Sequence, residues 1–229
     1  MKYIIFDFDG TIGDSQALIV KTLQDTMRQR GLEVKSDEEC AATIGLRLDE
    51  AFVQLFDMSA EEGMACAETY RVIFLENKQH LIVQPFPHVL DTIHALHRQG
   101  YLLAIASSRG SDTLFDYVKQ MGIEDCIVSI VAGDSVEHVK PAPDMVLKAL
   151  DDIKSKLSIG DSLEQMLTET LVVGDMTYDV DMAHNAGAKA CAVTYGNATR
   201  EELHEAEFII DDFAELERQI NIGNTDINI

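Results

Sequence analysis

The stretch Lys2-Tyr3-Ile4-Ile5-Phe6-Asp7-Phe8-Asp9-Gly10-Thr11 decides how the rest of the chain is read. Its apolar burst, Tyr3 to Phe6, shows no alternation, the pattern of a strand buried on both faces. It ends in two carboxylates two residues apart and a turn-permitting glycine. Similar runs recur at Leu102 to Ala106, Ile127 to Ala132 and Leu171 to Val173, and shorter ones at Lys189 to Thr194 and Phe208 to Ile210. Between them lie helical patterns at Pro87 to Gln99, Ser111 to Met121, Asp144 to Leu150 and Tyr178 to Ala186. Gly100, Gly122 and Gly187 stand where helix-ending glycines belong. Alternation of this kind predicts an α/β fold, a parallel sheet with helices on its faces.

One segment breaks the alternation. From about Asp14 to Val83 there are helical patterns and no convincing strand. A first helix begins near Ser15 and closes at Gly31; Ser36…Glu39 and Ser59…Glu62 have capping-box spacing. The chain is therefore divided into an α/β core, residues 1–13 and 84–229, and an inserted helical unit, residues 14–83. The four prolines fall at the return, Pro85 and Pro87, and at Pro141 and Pro143, and both places read as rigid turns. Asp151 to Thr168 reads as a polar connection, a loop or a broken helix.

The 229 residues carry 40 Asp+Glu against 18 Lys+Arg, a formal charge of −22. That excess argues against nucleic acid and anionic membrane as partners, since both are polyanions. It does not exclude a small anionic substrate, which feels the local field. Cys40, Cys66, Cys126 and Cys191 form no CxxC pair, so neither a zinc site nor a disulfide framework is expected. Reduced thiols, no signal-peptide pattern and no bilayer-length apolar run point to a cytoplasmic monomer or homodimer.

Four motifs carry chemistry. In an extended segment residues i and i+2 point the same way, so Asp7 and Asp9 can face one pocket at a strand's C-terminal edge. An aspartate-rich surface turn would have the same composition. Gly174-Asp175-Met176-Thr177-Tyr178-Asp179 places a second carboxylate at a strand end and a third one helical turn later. Gly133-Asp134 and Gly160-Asp161 lack that combination of strand and second acid. Ser107-Ser108-Arg109 ends another buried run, where hydroxyls and backbone amides can grip phosphate oxygens. Lys140, ahead of Pro141 and Pro143, offers a fixed positive charge.

Taken together and in order, DFDGT, a strand-end hydroxyl, KPAPD and GDxxxD resemble the haloacid dehalogenase superfamily of phosphohydrolases, in particular its phosphoglycolate phosphatase-like group with a small helical cap. The resemblance covers nearly the whole chain and implies a Rossmann-like core with residues 14–83 as the cap domain. It implies an Mg²⁺-dependent phosphatase acting on a small phosphorylated metabolite through an aspartyl-phosphate. Asp7 would be the nucleophile. Asp9 would be the general acid and base, holding a proton in the first step. Asp175 would be the principal metal ligand alongside Asp7 and the Asp9 backbone carbonyl, and Asp179 a second ligand or the orienter of a metal-bound water. Ser107 would hold the transferring phosphoryl group, with Ser108 and Arg109 binding substrate. Mg²⁺ and Lys140 together would reverse the local negative sign, and Thr11 would position Asp9. On the cap, Arg47 in Gly45-Leu46-Arg47-Leu48-Asp49-Glu50 would meet a substrate carboxylate or second phosphate.

Asp9 favours phosphoryl transfer over dehalogenation, because the dehalogenases lack a carboxylate at that position. A β-phosphoglucomutase-like mutase shares the core motifs, but its Ser-Arg cap pattern is absent, Arg47 being preceded by Leu46. Pyrophosphatase or nucleotidase activity stays open. A phospho-receiver module uses similar residues, yet the Asp7/Asp9 spacing and the insertion argue against it.

Overall fold

The computed structural model describes residues 1–225. Its sheet has six strands: β1 (Tyr3–Phe6), β4 (Leu102–Ser107), β5 (Ile127–Ala132), β6 (Thr170–Gly174), β7 (Lys189–Val193) and β8 (Phe208–Ile210). They are all parallel, in the order β5-β4-β1-β6-β7-β8. From β1 the chain builds outward through β4 to β5, then crosses back to β6 and builds outward the other way. The strand order therefore reverses between β1 and β6, the place where open α/β sheets bind ligands.

Strand alternation sorts β1 between two cores. Ile4 and Phe6 join one apolar cluster, which also takes in α5 (Val89–Arg98), α6 (Ser111–Gln120) and α10 (Leu216–Thr225). Tyr3 and Ile5 join the other, beneath α7 (Asp144–Leu157), α8 (Leu163–Thr168) and α9 (Thr177–Ala186). All four β1 side chains are fully buried, worth about 1.5–3 kcal/mol for each large apolar group. Both faces being covered explains why the strands read as unbroken apolar runs.

The insertion contains α1 (Gln16–Arg30), α2 (Asp37–Ala41), α3 (Leu48–Phe56) and α4 (Ala60–Asn77). Gly31 ends α1 at φ 68°, a left-handed backbone that favours glycine. Both predicted capping boxes form: Ser36 and Ser59 accept from the backbone N–H of Glu39 and Glu62, and each glutamate accepts in return. The segment leaves and re-enters the core through a two-residue antiparallel ribbon, β2 (Gly13–Asp14) against β3 (Gln84–Pro85). Leu18, Leu23, Phe52, Tyr70 and Phe74 bury into the same cluster as Ile4 and Phe6, so one core runs from the sheet into the insertion.

Of the two alternatives for 151–168, the structure takes the broken helix, with the first helix running past Leu150. The α7 helix continues to Leu157, because Ile153 extends its apolar stripe into the core. Ser158 closes it at φ 53°. After a four-residue turn, Ser162 and Gln165 form a third capping box and start α8.

Candidate active site

Three strand ends and two loops converge over the β1/β6 switch. Asp7 follows β1 directly, its N–H donating to the Val173 carbonyl at 2.8 Å. Asp175 follows β6, and Asp179 lies in the first turn of α9, accepting at Oδ2 from the Met176 N–H at 3.1 Å. Carboxylate oxygens of Asp7, Asp175 and Asp179 all lie within 4.8 Å of one another, and all three residues are buried. Two glycines permit this crowding. A Cβ on Gly10, whose φ is +87°, would overlap the Asp175 carboxylate, and one on Gly174 would overlap that of Asp179.

Lys140 is 1% exposed and inserts between the acids. Its ammonium donates to Asp7 Oδ1 and lies 2.6 Å from Asp179 Oδ1. Burial opposes its charge, but Asp179 and Asp7 outweigh that and hold its pKa above the ordinary lysine value. The acids feel the opposite pull. Burial lifts the Asp7 carboxyl well above the ordinary range against the attraction of Lys140, and the Asp179, Asp175 and Asp9 charges add to the rise. Asp175 is pushed up to about 7, by burial first and Asp179 second; hydrogen bonds from Asn197 resist. With all three ionised, the buried carboxylates around one ammonium would carry a net charge of −2 in a low dielectric. That deficit, presented by hard oxygen donors, fits a divalent cation.

Asp9 stands apart from this cluster. Its carboxylate takes a fork from Arg109, Nε to Oδ2 at 3.0 Å and Nη2 to Oδ1 at 2.5 Å, and a bond from the Ser15 hydroxyl at 2.5 Å. Arg109 is itself enclosed by rings, with Tyr117, Phe74 and Phe8 centred 5.1, 5.3 and 5.8 Å from its guanidinium carbon. Phe74 belongs to α4, so Arg109 ties the insertion to the core and to Asp9 at once.

Two hydroxyls lie elsewhere than expected. Thr11 does not position Asp9; it donates to Asp175 Oδ1 at 3.2 Å, because the turn at Gly10 swings it toward β6. Ser15, the N-cap residue of α1, reaches Asp9 in its place. Ser108 donates to the Gly45 carbonyl of the insertion at 2.5 Å and so pins that loop over the site. Ser107 is buried at the end of β4, accepts from the Arg109 N–H at 3.3 Å and faces the cavity. Asn197, which sequence reasoning missed, gives Asp175 Oδ2 two bonds of 2.7 Å, from backbone and side chain. Its signal, a polar residue after Tyr195-Gly196, carries no recognisable spacing. The two comparison acids stay outside the cluster: Asp134 accepts from Ser111 at the start of α6, and Asp161 pairs with Lys2.

A cavity of about 780 Å³ opens above Asp7, Asp9 and Ser107, roofed by the loop 43–49 and by α4. Arg47 lines it, with both edges of its fork on Asp49, at 2.8 and 2.7 Å.

Carboxylates at adjacent parallel strand ends, a buried lysine among them and a roofed cavity above make up the candidate site of a Rossmann-like α/β protein. The chain belongs to the haloacid dehalogenase-like hydrolase family, whose sequence pattern matches residues 4–193. It is 32% identical over 220 residues to Probable phosphatase IndB of Dickeya dadantii, covering 93% of this chain and 90% of that protein. It is 31% identical over 207 residues to Pyrophosphatase PpaX of Halalkalibacterium halodurans, covering 90% and 88%. Among solved structures, a haloacid dehalogenase-like protein from Bacteroides fragilis superposes with a TM-score of 0.82 at 26% identity, covering 94% of this chain and 99% of that one. A hydrolase from Pseudomonas syringae gives 0.82 at 23%, covering 96% and 98%. The chain is a phosphohydrolase. No helix among the described residues is long and apolar enough to cross a membrane.

Proposed function

We propose that the protein is an Mg²⁺-dependent phosphatase of small phosphorylated metabolites, working through an aspartyl-phosphate on Asp7. The observation that carries this reading is the buried cluster of Asp7, Asp175 and Asp179 around Lys140 at the switch point. Asp7, Asp175 and Asp179, with the Asp9 backbone carbonyl, would hold the Mg²⁺, which supplies positive charge against the phosphate dianion. Lys140 adds a fixed charge of the same sign and keeps Asp7 aimed. An Asp7 carboxylate oxygen attacks phosphorus; the bond to the leaving alkoxide breaks, and Asp9 gives that oxygen its proton. Water then surrenders a proton to Asp9, attacks the acyl phosphate and releases inorganic phosphate and the free Asp7 carboxylate. Ser107 and nearby backbone amides steady the phosphoryl oxygens.

In the first step Asp9 must be free to donate, so the Arg109 fork has to loosen when substrate enters. Residues 14–83 act as a cap that selects the leaving group and excludes water. The relatives named pyrophosphatase favour a second reading within the same chemistry, in which the leaving group is itself a phosphate.

Phosphate release from p-nitrophenyl phosphate with Mg²⁺ tests the proposal. Asp9→Asn is expected to lower kcat by about 10²–10⁴-fold, the range that general acid–base catalysis contributes, and Asp7→Asn, which removes the nucleophile, by at least as much. Unchanged activity in both variants would show the assignment to be wrong.

A further inference from the structure

The roof of the cavity contains a cation that the catalytic cluster does not use. Three arginines line the space: Arg47, Arg71 and Arg109. Asp49 holds both edges of the Arg47 fork, and Asp9 holds the fork of Arg109. Arg71, on α4, is exposed, and no described carboxylate lies within 4.0 Å of its guanidinium. Glu68, one turn earlier on the same helix, also lines the cavity but does not pair with it.

Helical spacing sets what surrounds Arg71. Met64, Glu68, Arg71 and Leu75 repeat at intervals of four, three and four, so they form one stripe along α4. All four are exposed and line the cavity, whose wall the buried Tyr70 and Phe74 of the same helix also form. Met64 and Leu75 are each 51% exposed and lie on the cavity side of the helix. The stripe thus offers a free guanidinium flanked by apolar surface, facing the space above the reacting carboxylates.

Charge decides what would settle there. Around that space stand Asp7, Asp9, Asp49, Glu68, Asp112 and Asp134. An anionic leaving group entering it meets acids on every side, and two of the three arginines are already neutralised by their own partners. Building on the phosphatase reading above, we infer that Arg71 is the specificity-determining cation. It receives the second anionic group, a carboxylate or a phosphate, of an acidic phosphate ester or anhydride. The volume of about 780 Å³ leaves room for such a group beside the transferring phosphoryl group.

The test compares kcat/KM for two acidic probes, 2-phosphoglycolate and inorganic pyrophosphate, with that for p-nitrophenyl phosphate, which carries no second anionic group. Wild type, Arg71→Met, Arg71→Lys and Arg47→Met are measured with Mg²⁺. The ratio of the better acidic probe to the aryl phosphate is expected to fall about tenfold or more in Arg71→Met, mainly through KM. Arg71→Lys should keep part of it, since the charge remains and the fork is lost. A ratio within twofold of wild type in Arg71→Met overturns the inference. So does a fall confined to Arg47→Met, or a wild type that prefers the aryl phosphate to both acidic probes. If wild type releases phosphate from none of the three, the phosphatase reading itself fails; if the aryl phosphate is hydrolysed and only the ratio stays put, Arg71 alone loses its role.

Discussion

Replacing Asp175 by asparagine should make the metal-free protein more stable, at the cost of its activity. Burial and the Asp179 charge lift this carboxyl from its ordinary 3.8 to about 7. Across roughly pH 4 to 7 the folded protein therefore keeps a proton that the unfolded chain has released. The stability tied to that proton is fully present below about pH 4 and is lost as pH rises through 7. The loss is worth about 4 kcal/mol at its ceiling. Asparagine never ionises, so it escapes the loss. It also fits: its carbonyl can accept from Asn197, and its amide can donate to the Thr11 hydroxyl, which rotates to accept. Relaxation and water take a share of any buried charge's cost, so a gain of about 2 kcal/mol at pH 8 is expected. In a chain of this length that raises Tm by about 4–8 °C. The assay is thermal unfolding followed by circular dichroism in EDTA, from pH 5 to pH 8. The two proteins should separate as pH rises, and adding Mg²⁺ should stabilise wild type far more than the variant. An Asp175→Asn protein no more stable than wild type at pH 8, or a gap that does not narrow toward pH 5, would refute the reasoning.

Two further perturbations follow from the packing. Gly174→Ala puts a Cβ into the Asp179 carboxylate, so activity should fall at least tenfold and stability by about 1–3 kcal/mol, read from phosphate release and urea unfolding. Arg109→Leu strips Asp9 of its fork and removes the cation enclosed by Phe8, Phe74 and Tyr117. A loss of about 3–5 kcal/mol is expected, with protease sensitivity rising first in residues 14–83; an unchanged digestion pattern there would count against the tie between α4 and Asp9.

What was legible in the chain has a physical pattern. All six strands were readable because both faces of the sheet are covered, which forces unbroken apolar runs such as Tyr3 to Phe6 and Leu171 to Val173. Asp7, Asp175 and Asp179 were readable as a group because a strand end and one helical turn fix their placement within a few ångströms. Partners across the turns were not. Whether Thr11 or Ser15 reaches Asp9 depends on the left-handed backbone at Gly10 and on where α1 starts, and residue spacing encodes neither. The family resemblance implied that Arg109 binds substrate; its pairing with Asp9, a hundred positions earlier, has no counterpart in local spacing. The end of α7 lies beyond Leu150, where the polar Asp151, Asp152 and Lys154 obscure the buried Ile153 that carries the helix onward.

The ribbon of Gly13–Asp14 against Gln84–Pro85 has a consequence for how such a molecule changes over time. The two chain crossings stand one strand spacing apart, about 4.8 Å. A gap that small is as easily closed by a long excursion as by a short one, each doubling of length costing only about 0.6 kcal/mol in closure entropy. Residues can therefore be added, removed or exchanged beyond the ribbon while the carboxylates at the strand ends keep their places. On the function proposed above, selectivity and reactivity are free to drift at different rates, the first in α1 to α4 and the second in the strand ends beneath them.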